Sequence, residues 1–102
     1  MIARVWHGTT AAEDGDAYAA YIEETGTTNA RKIAGSRGTL VLRHTDGDRT
    51  EFQTVILFES LEDVRAFAGD DIEKAVFYPE DDRYLIERDL GVTHREADVH
   101  MV

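Results

Sequence analysis

His7, Tyr78 and His94 are the side chains of this sequence best suited by type and setting to do chemistry. His7 closes the run Ile2-Ala3-Arg4-Val5-Trp6-His7, whose alternation puts it on the strand face shared with Ala3 and Val5. Small residues on that face leave room for a ligand beneath covering helices, and a neutral imidazole there could polarise or deprotonate a bound phenol near pH 7. The competing role is a partly buried histidine hydrogen-bonded to a helix end. Tyr78 and Tyr84 flank Pro79, where a phenol could reach a pocket mouth, although packing is the commoner role of a tyrosine near a core. His94, Glu96, Asp98 and His100 alternate along one strand face, about 6.6 Å apart from one to the next. They could converge on a divalent ion, but a strand spreads its ligands, so a solvated edge strand is the favoured reading and no metal is expected. The pairs Asp70-Asp71 and Asp81-Asp82 diverge on a helix and read as caps. With no Gly-x-Ser-x-Gly elbow, phosphate-cradling loop or dinucleotide fingerprint, no flavin or nicotinamide cofactor is expected.

The elements that must position these groups follow from periodicity. A strand over 2–8 carries apolar residues on both faces. Thr10, three residues before Glu13, has the spacing of a capping box, and Tyr18, Tyr21, Ile22 and Thr25 form the stripe of a helix that Gly26 should end. Residues 27–37 read as a connection. Runs 38–45 and 50–58 are β-rich and joined by Asp46-Gly47-Asp48, a strong hairpin signal. Ser60 and Asp63 cap a second helix with Leu61, Val64, Phe67 and Ala68 inward and Gly69 at its end. A short helix starting at Asp70 or Asp71, a helix start at Pro79 to Asp82 and a last strand over 92–101 complete the chain. The order β-α-β-β-α-β predicts a ferredoxin-like α+β fold, a four-stranded antiparallel sheet in one domain spanning 1–102. Helices cover one face of such a sheet. The apolar residues on its other face predict a homodimer joined sheet to sheet.

Composition narrows the partners. With 21 Asp and Glu against 11 Lys and Arg the chain carries −10, and no basic cluster interrupts it. Phosphate backbones and anionic membrane surfaces would be repelled, so neither nucleic acid nor membrane is an expected partner. No apolar run approaches the ~20 residues of a membrane span, and the N-terminal run reads as a strand rather than a signal peptide. Together with the absence of cysteine, this predicts a soluble, cytoplasmic protein. Lys32 and Lys74 are the only lysines, a bias that fits a high-salt cytoplasm or an arginine-favouring genome equally well.

Nearly the whole chain resembles the antibiotic-biosynthesis-monooxygenase family of dimeric α/β barrels. The similarity is carried by Ile2 to Gly8 as opening strand, Gly35-Ser36-Arg37-Gly38, Phe58 to Asp63 with Arg65 to Gly69, Val76 to Asp82, and Val92-Thr93-His94. Similar proteins include quinone-forming monooxygenases that use O₂ without flavin or metal, and haem-degrading members. Both hold their ligand between sheet and helices. The resemblance implies a cofactor-free oxygenase acting on a small phenol-like or quinol-like aromatic ligand. Trp6, Phe58 and Phe77 would line the pocket, and His7, Tyr78 and His94 would be the candidates for catalysis. His7, Phe58 and Phe77 occupy the places where haem degraders carry an asparagine, a tryptophan and an iron-holding histidine. A phenylalanine cannot ligate iron, which argues against haem. The alternative is a non-catalytic ligand-binding or structural protein on the same fold.

Overall fold

The computed structural model describes residues 1–102 and has one antiparallel sheet with its helices on one side. The central strand β1, Ile2–Ala11, pairs along its full length with β3, Arg49–Phe58, and β3 pairs with β2, Ser36–Asp46. The turn Gly47-Asp48 closes the expected hairpin, with Gly47 at φ 62°, a backbone conformation that glycine adopts without steric cost. The other edge of β1 is shared by two short strands. β4, Leu85–Arg88, runs beside Gly8 to Thr10, and β5, Thr93–Glu96, runs beside Ile2 to Val5. The sheet therefore has the four expected strand positions, but the outermost is split, giving five strands in all.

The split has a visible cause. Residues 70–76, expected as a short helix, make a single turn, with Lys74 N donating to Asp71 O, and then a strap that pairs with the interruption: Ala75 N donates to Leu90 O, Val92 N donates to Glu73 O, and Lys74 bridges to Gly91. Arg4 takes two further strap carbonyls, so tertiary bonds outcompete the helix that the local pattern favours. The last strand stops at Glu96 rather than continuing to 101, because its partner ends there. Glu96 stands opposite Ile2, the first residue of β1, and Ala97 N makes the last bond, to Met1 O.

Strand β1 also runs further than expected. Thr10 is buried in the sheet opposite Thr50 instead of capping a helix. After a short 3₁₀ turn, α1, Gly15–Ile22, passes through a π-helical turn, Glu23–Thr27, into α2, Thr28–Arg31, so Gly26 does not end it. Thr25 and Thr28 hydroxyls donate to Tyr21 O and Glu23 O, satisfying carbonyls where the helix widens. The second helix, α3, Leu61–Ala68, is capped by Ser60 and ends at Gly69 as expected, with Val64 buried and Leu61 left exposed. A single turn, α4, Asp81–Tyr84, leads into β4.

Register assigns the faces. Arg4, Trp6, Gly8 and Thr10 of β1 share the face with Ile56, Thr54, Phe52 and Thr50 of β3, and there Trp6 packs with Tyr18, Tyr21, Phe52 and Leu85 as the core. The opposite face carries Val5, Val55 and Leu40 in one row and His7, Gln53 and Leu42 in the next. No element of the chain lies over that face, and Leu40 and Leu42 remain 52% and 50% exposed.

Candidate functional site

A cleft of about 610 Å³, counting its open mouth, lies between the inner face of the sheet, α1 and the strap. Trp6, Thr54 and Ile56 form its floor, Tyr18, Ile22 and the π-helical turn one wall, and Ala75 to Tyr78 the other. The Trp6 indole is fixed by its N–H, which donates to Asp89 O at 2.8 Å, and by an edge contact to Phe77 with centroids 6.2 Å apart. It lies across Gly8, where a β-carbon would collide with the ring. The glycine is thus what lets the indole lie flat on the strand.

Polar groups are few and placed at two points. Asp81, only 5% exposed, accepts from the Tyr18 hydroxyl at 2.9 Å and from the Tyr78 backbone N–H at 2.7 Å. Burial, and then the charge and hydrogen bond of Asp81, push the Tyr18 hydroxyl well above its ordinary pKa, so it remains a neutral donor. At the other point the Arg4 guanidinium, 3% exposed, donates to Ile72 O at 2.6 Å and Lys74 O at 2.8 Å and lies 5.7 Å from the Phe67 ring centre. Burial lowers the Arg4 pKa, an effect opposed by the neighbouring Tyr78. A guanidinium nevertheless stays protonated at neutral pH. The Tyr78 hydroxyl accepts from Asn29 Nδ2 at 3.1 Å, which leaves its own proton free to donate.

Of the residues expected at a site, the cleft brings together Trp6, Phe77 and Tyr78. Phe58 does not line it: fully buried, it packs on Phe67 with ring centres 5.7 Å apart, as core. His7 is corrected too, because the face that meets the helices is that of Trp6, and the next residue must point the other way. Its ring is more than half exposed, with Nδ1 3.5 Å from Asp89. His94 lies just behind the cleft, where its Nε2 is 3.2 Å from Arg4 Nη1. A guanidinium has only donors, so Nε2 accepts and the ring proton sits on Nδ1. Asp98 and His100 lie past the end of β5, so the alternating row with His94 and Glu96 does not form. Asp81, expected as a helix cap, instead holds Tyr18 and the Tyr78 N–H, and neither Arg4 nor Asn29 was among the expected site residues. Only Arg4 had a signal, its place on the same strand face as Trp6.

The Arg4 to His94 contact has a pH consequence. Burial first, and then the Arg4 charge, lower the His94 pKa below 6.5, with Glu73 opposing. The unfolded chain therefore takes up this proton before the folded one as pH falls. Stability should be level with respect to this group above about pH 6.5 and decline as pH drops towards the folded value. Urea midpoints measured between about pH 5 and 8 should show the decline, and His94→Gln, which keeps an acceptor without a titrating ring, should flatten it. An unchanged profile in that variant would assign the decline to other groups.

No family model and no curated protein sequence matches the chain. Among solved structures, it is similar to the crystal structure of a candidate antibiotic biosynthesis monooxygenase from Bacillus cereus, with a TM-score of 0.67 over 98% of this chain and 97% of that one. The chain has that protein's fold. Sequence identity is 16%, so the likeness is one of architecture. The ferredoxin-like α+β plan expected from the sequence, and its resemblance to this type of fold, are borne out at that level. No helix is long and apolar enough to cross a membrane.

Proposed function

We propose that the cleft binds a small phenol-like or quinol-like aromatic molecule and that the protein oxygenates it with O₂ as a cofactor-independent monooxygenase. The observation that carries this reading is the cleft's make-up: aromatic and aliphatic walls around Trp6, Phe77 and Tyr78, with Arg4 and the Tyr78 hydroxyl as donors in the lining. Flat apolar walls suit an aromatic ring. A donor pair suits the oxygen of its conjugate base, stabilising negative charge as it develops in a dry site. In the overall reaction a ring CH₂ or its phenol tautomer loses a proton and its electrons pass to O₂. The resulting peroxide then loses water, so that one oxygen atom becomes a carbonyl and the other leaves as H₂O. We also propose that the chain works as a homodimer through the uncovered sheet face.

A second reading, ligand binding without turnover, is favoured by one feature. Asp81, the only carboxylate in the cleft, has both oxygens engaged, and no histidine lines the walls. A substrate would then have to supply its own acidity. Oxygen uptake with a panel of anthrones and naphthols, using protein pretreated with chelator, separates the two. The oxygenase reading predicts saturable uptake with one O₂ consumed per carbonyl formed. It also predicts that His7→Ala turns over at the wild-type rate, because the ring lies on the opposite face of the sheet. Uptake no faster than in protein-free solution across the panel would leave the binding module.

A further inference from the structure

Arg4 is a buried cation without a carboxylate. It is 3% exposed, yet no ion pair of the chain includes it, although acids outnumber bases by 21 to 11. Arginine is seldom buried so completely without a counter-charge, because the lost hydration has to be replaced. Two carbonyls and the His94 ring replace part of it. They engage three of the five N–H groups of a guanidinium, and the Phe67 ring centre lies 5.7 Å away, but no anion meets its charge. Arg4 is also the only cationic side chain lining the cleft, and Tyr78, which lines it too, has a hydroxyl proton free to donate. The one acid of the cleft, Asp81, is held apart by Tyr18 and the Tyr78 N–H.

We infer that the missing anion arrives with the ligand: the cleft takes a flat aromatic molecule bearing an anionic oxygen, carboxylate or phenolate, seated on the Arg4 guanidinium and the Tyr78 hydroxyl. This rests on the reading of the cleft as an aromatic site and adds the charge of what enters it. The net charge of −10 makes the point selective, since the remaining surface repels the same ligand.

Trp6 is the only tryptophan, so its indole N–H gives a single NMR signal that reports occupancy of the cleft floor. At about pH 7.5, 2-naphthoate should bind roughly ten- to a hundredfold more tightly than its methyl ester, the range for hydrogen bonds to a charged group. 2-Naphthol, titrated from about pH 7 to about 10, separates the two anions. Affinity rising with ionisation to match naphthoate assigns a phenolate site, and a flat, ester-like response assigns a carboxylate site. Arg4→Met should keep ester binding and lose the preference for the acid, while Arg4→Lys should keep part of it. Should Arg4→Met bind neither, Tyr78→Phe decides, with a several-fold loss for naphthoate and none for the ester. Equal affinity of the wild-type protein for acid and ester, or a preference that survives Arg4→Met, would overturn the inference and leave the aromatic cleft standing. Failure of all the probes to move the Trp6 signal would remove the cleft reading and this inference together.

Discussion

Asp81→Ala is expected to lower the unfolding free energy by about 2–5 kcal/mol, because it strands two donors in a site closed to water. The Tyr18 hydroxyl and the Tyr78 N–H both donate to this carboxylate. Tyr18 sits in the aromatic cluster, 5.1 Å from the Phe52 ring and 5.5 Å from that of Tyr84, so its hydroxyl cannot turn to solvent without dislodging the ring. The same carboxylate ties α1 to the end of the strap. For a chain of this size such a loss corresponds to a fall of about 10 °C or more in Tm. Asp81→Asn, which can still accept through one oxygen, should lose less. Urea unfolding of the three proteins checks the order, and Asp81→Ala within about 0.5 kcal/mol of wild type, the ordinary scatter of surface changes, would show that these bonds carry little.

Val55→Asp should convert a dimer into a monomer. Val55 stands between Val5 and Leu40 on the face that no element of the chain covers, with Leu42 and Leu57 beside it. A two-fold partner laid on this face would bury the row against its own copy, over well above ~1,000 Å² in total. Symmetry would then place two carboxylates in one apolar interface, each without a counter-charge. Sedimentation at micromolar concentration should give twice the 11.5 kDa chain mass for the wild type and the chain mass for the variant. A wild-type monomer would remove the dimer, and a dimeric variant would move its interface elsewhere.

What could be read from the residues were the features with local causes. Asp46-Gly47-Asp48 marked the hairpin because a two-residue turn needs little beyond its own backbone conformation, and Ser60 with Gly69 marked both ends of α3 for the same reason. Features set by distant partners were not legible. The strap over 70–76 has helical caps and helical spacing, but its carbonyls are taken by Arg4, nearly seventy residues away. Strand β4 went unseen because Leu85 to Arg88 is too short to show a period, and its place is set by β1.

The site divides in the same way. Tyr78 was legible from its place beside Pro79, whereas Trp6 and Phe77 came to the lining only through resemblance. The strand-one alternation placed His7 and Trp6 on opposite faces correctly, yet it could not say which face the helices would cover. Choosing the smaller side chains as the lining put His7 in the pocket. The large indole is the inward group, because Gly8 next to it makes the room that Ala3 and Val5 were thought to provide. The burial of Arg4 was not legible, since a strand residue's burial depends on what is laid over it.

The cleft as the site of function is tested most directly by filling it. Gly26 sits in the π-helical turn of the wall, and a β-carbon there would be 3.9 Å from the Tyr78 ring, an ordinary contact, so a larger side chain can enter without breaking the helix. Oxygen uptake and the Trp6 indole shift should be measured for Gly26→Leu and His7→Ala, using the anthrone or naphthol and the naphthoate that serve best with the wild type. The account predicts that Gly26→Leu, still folded by its far-ultraviolet spectrum, loses both responses and that His7→Ala keeps both. Full response in a folded Gly26→Leu, or its loss in His7→Ala, would contradict it.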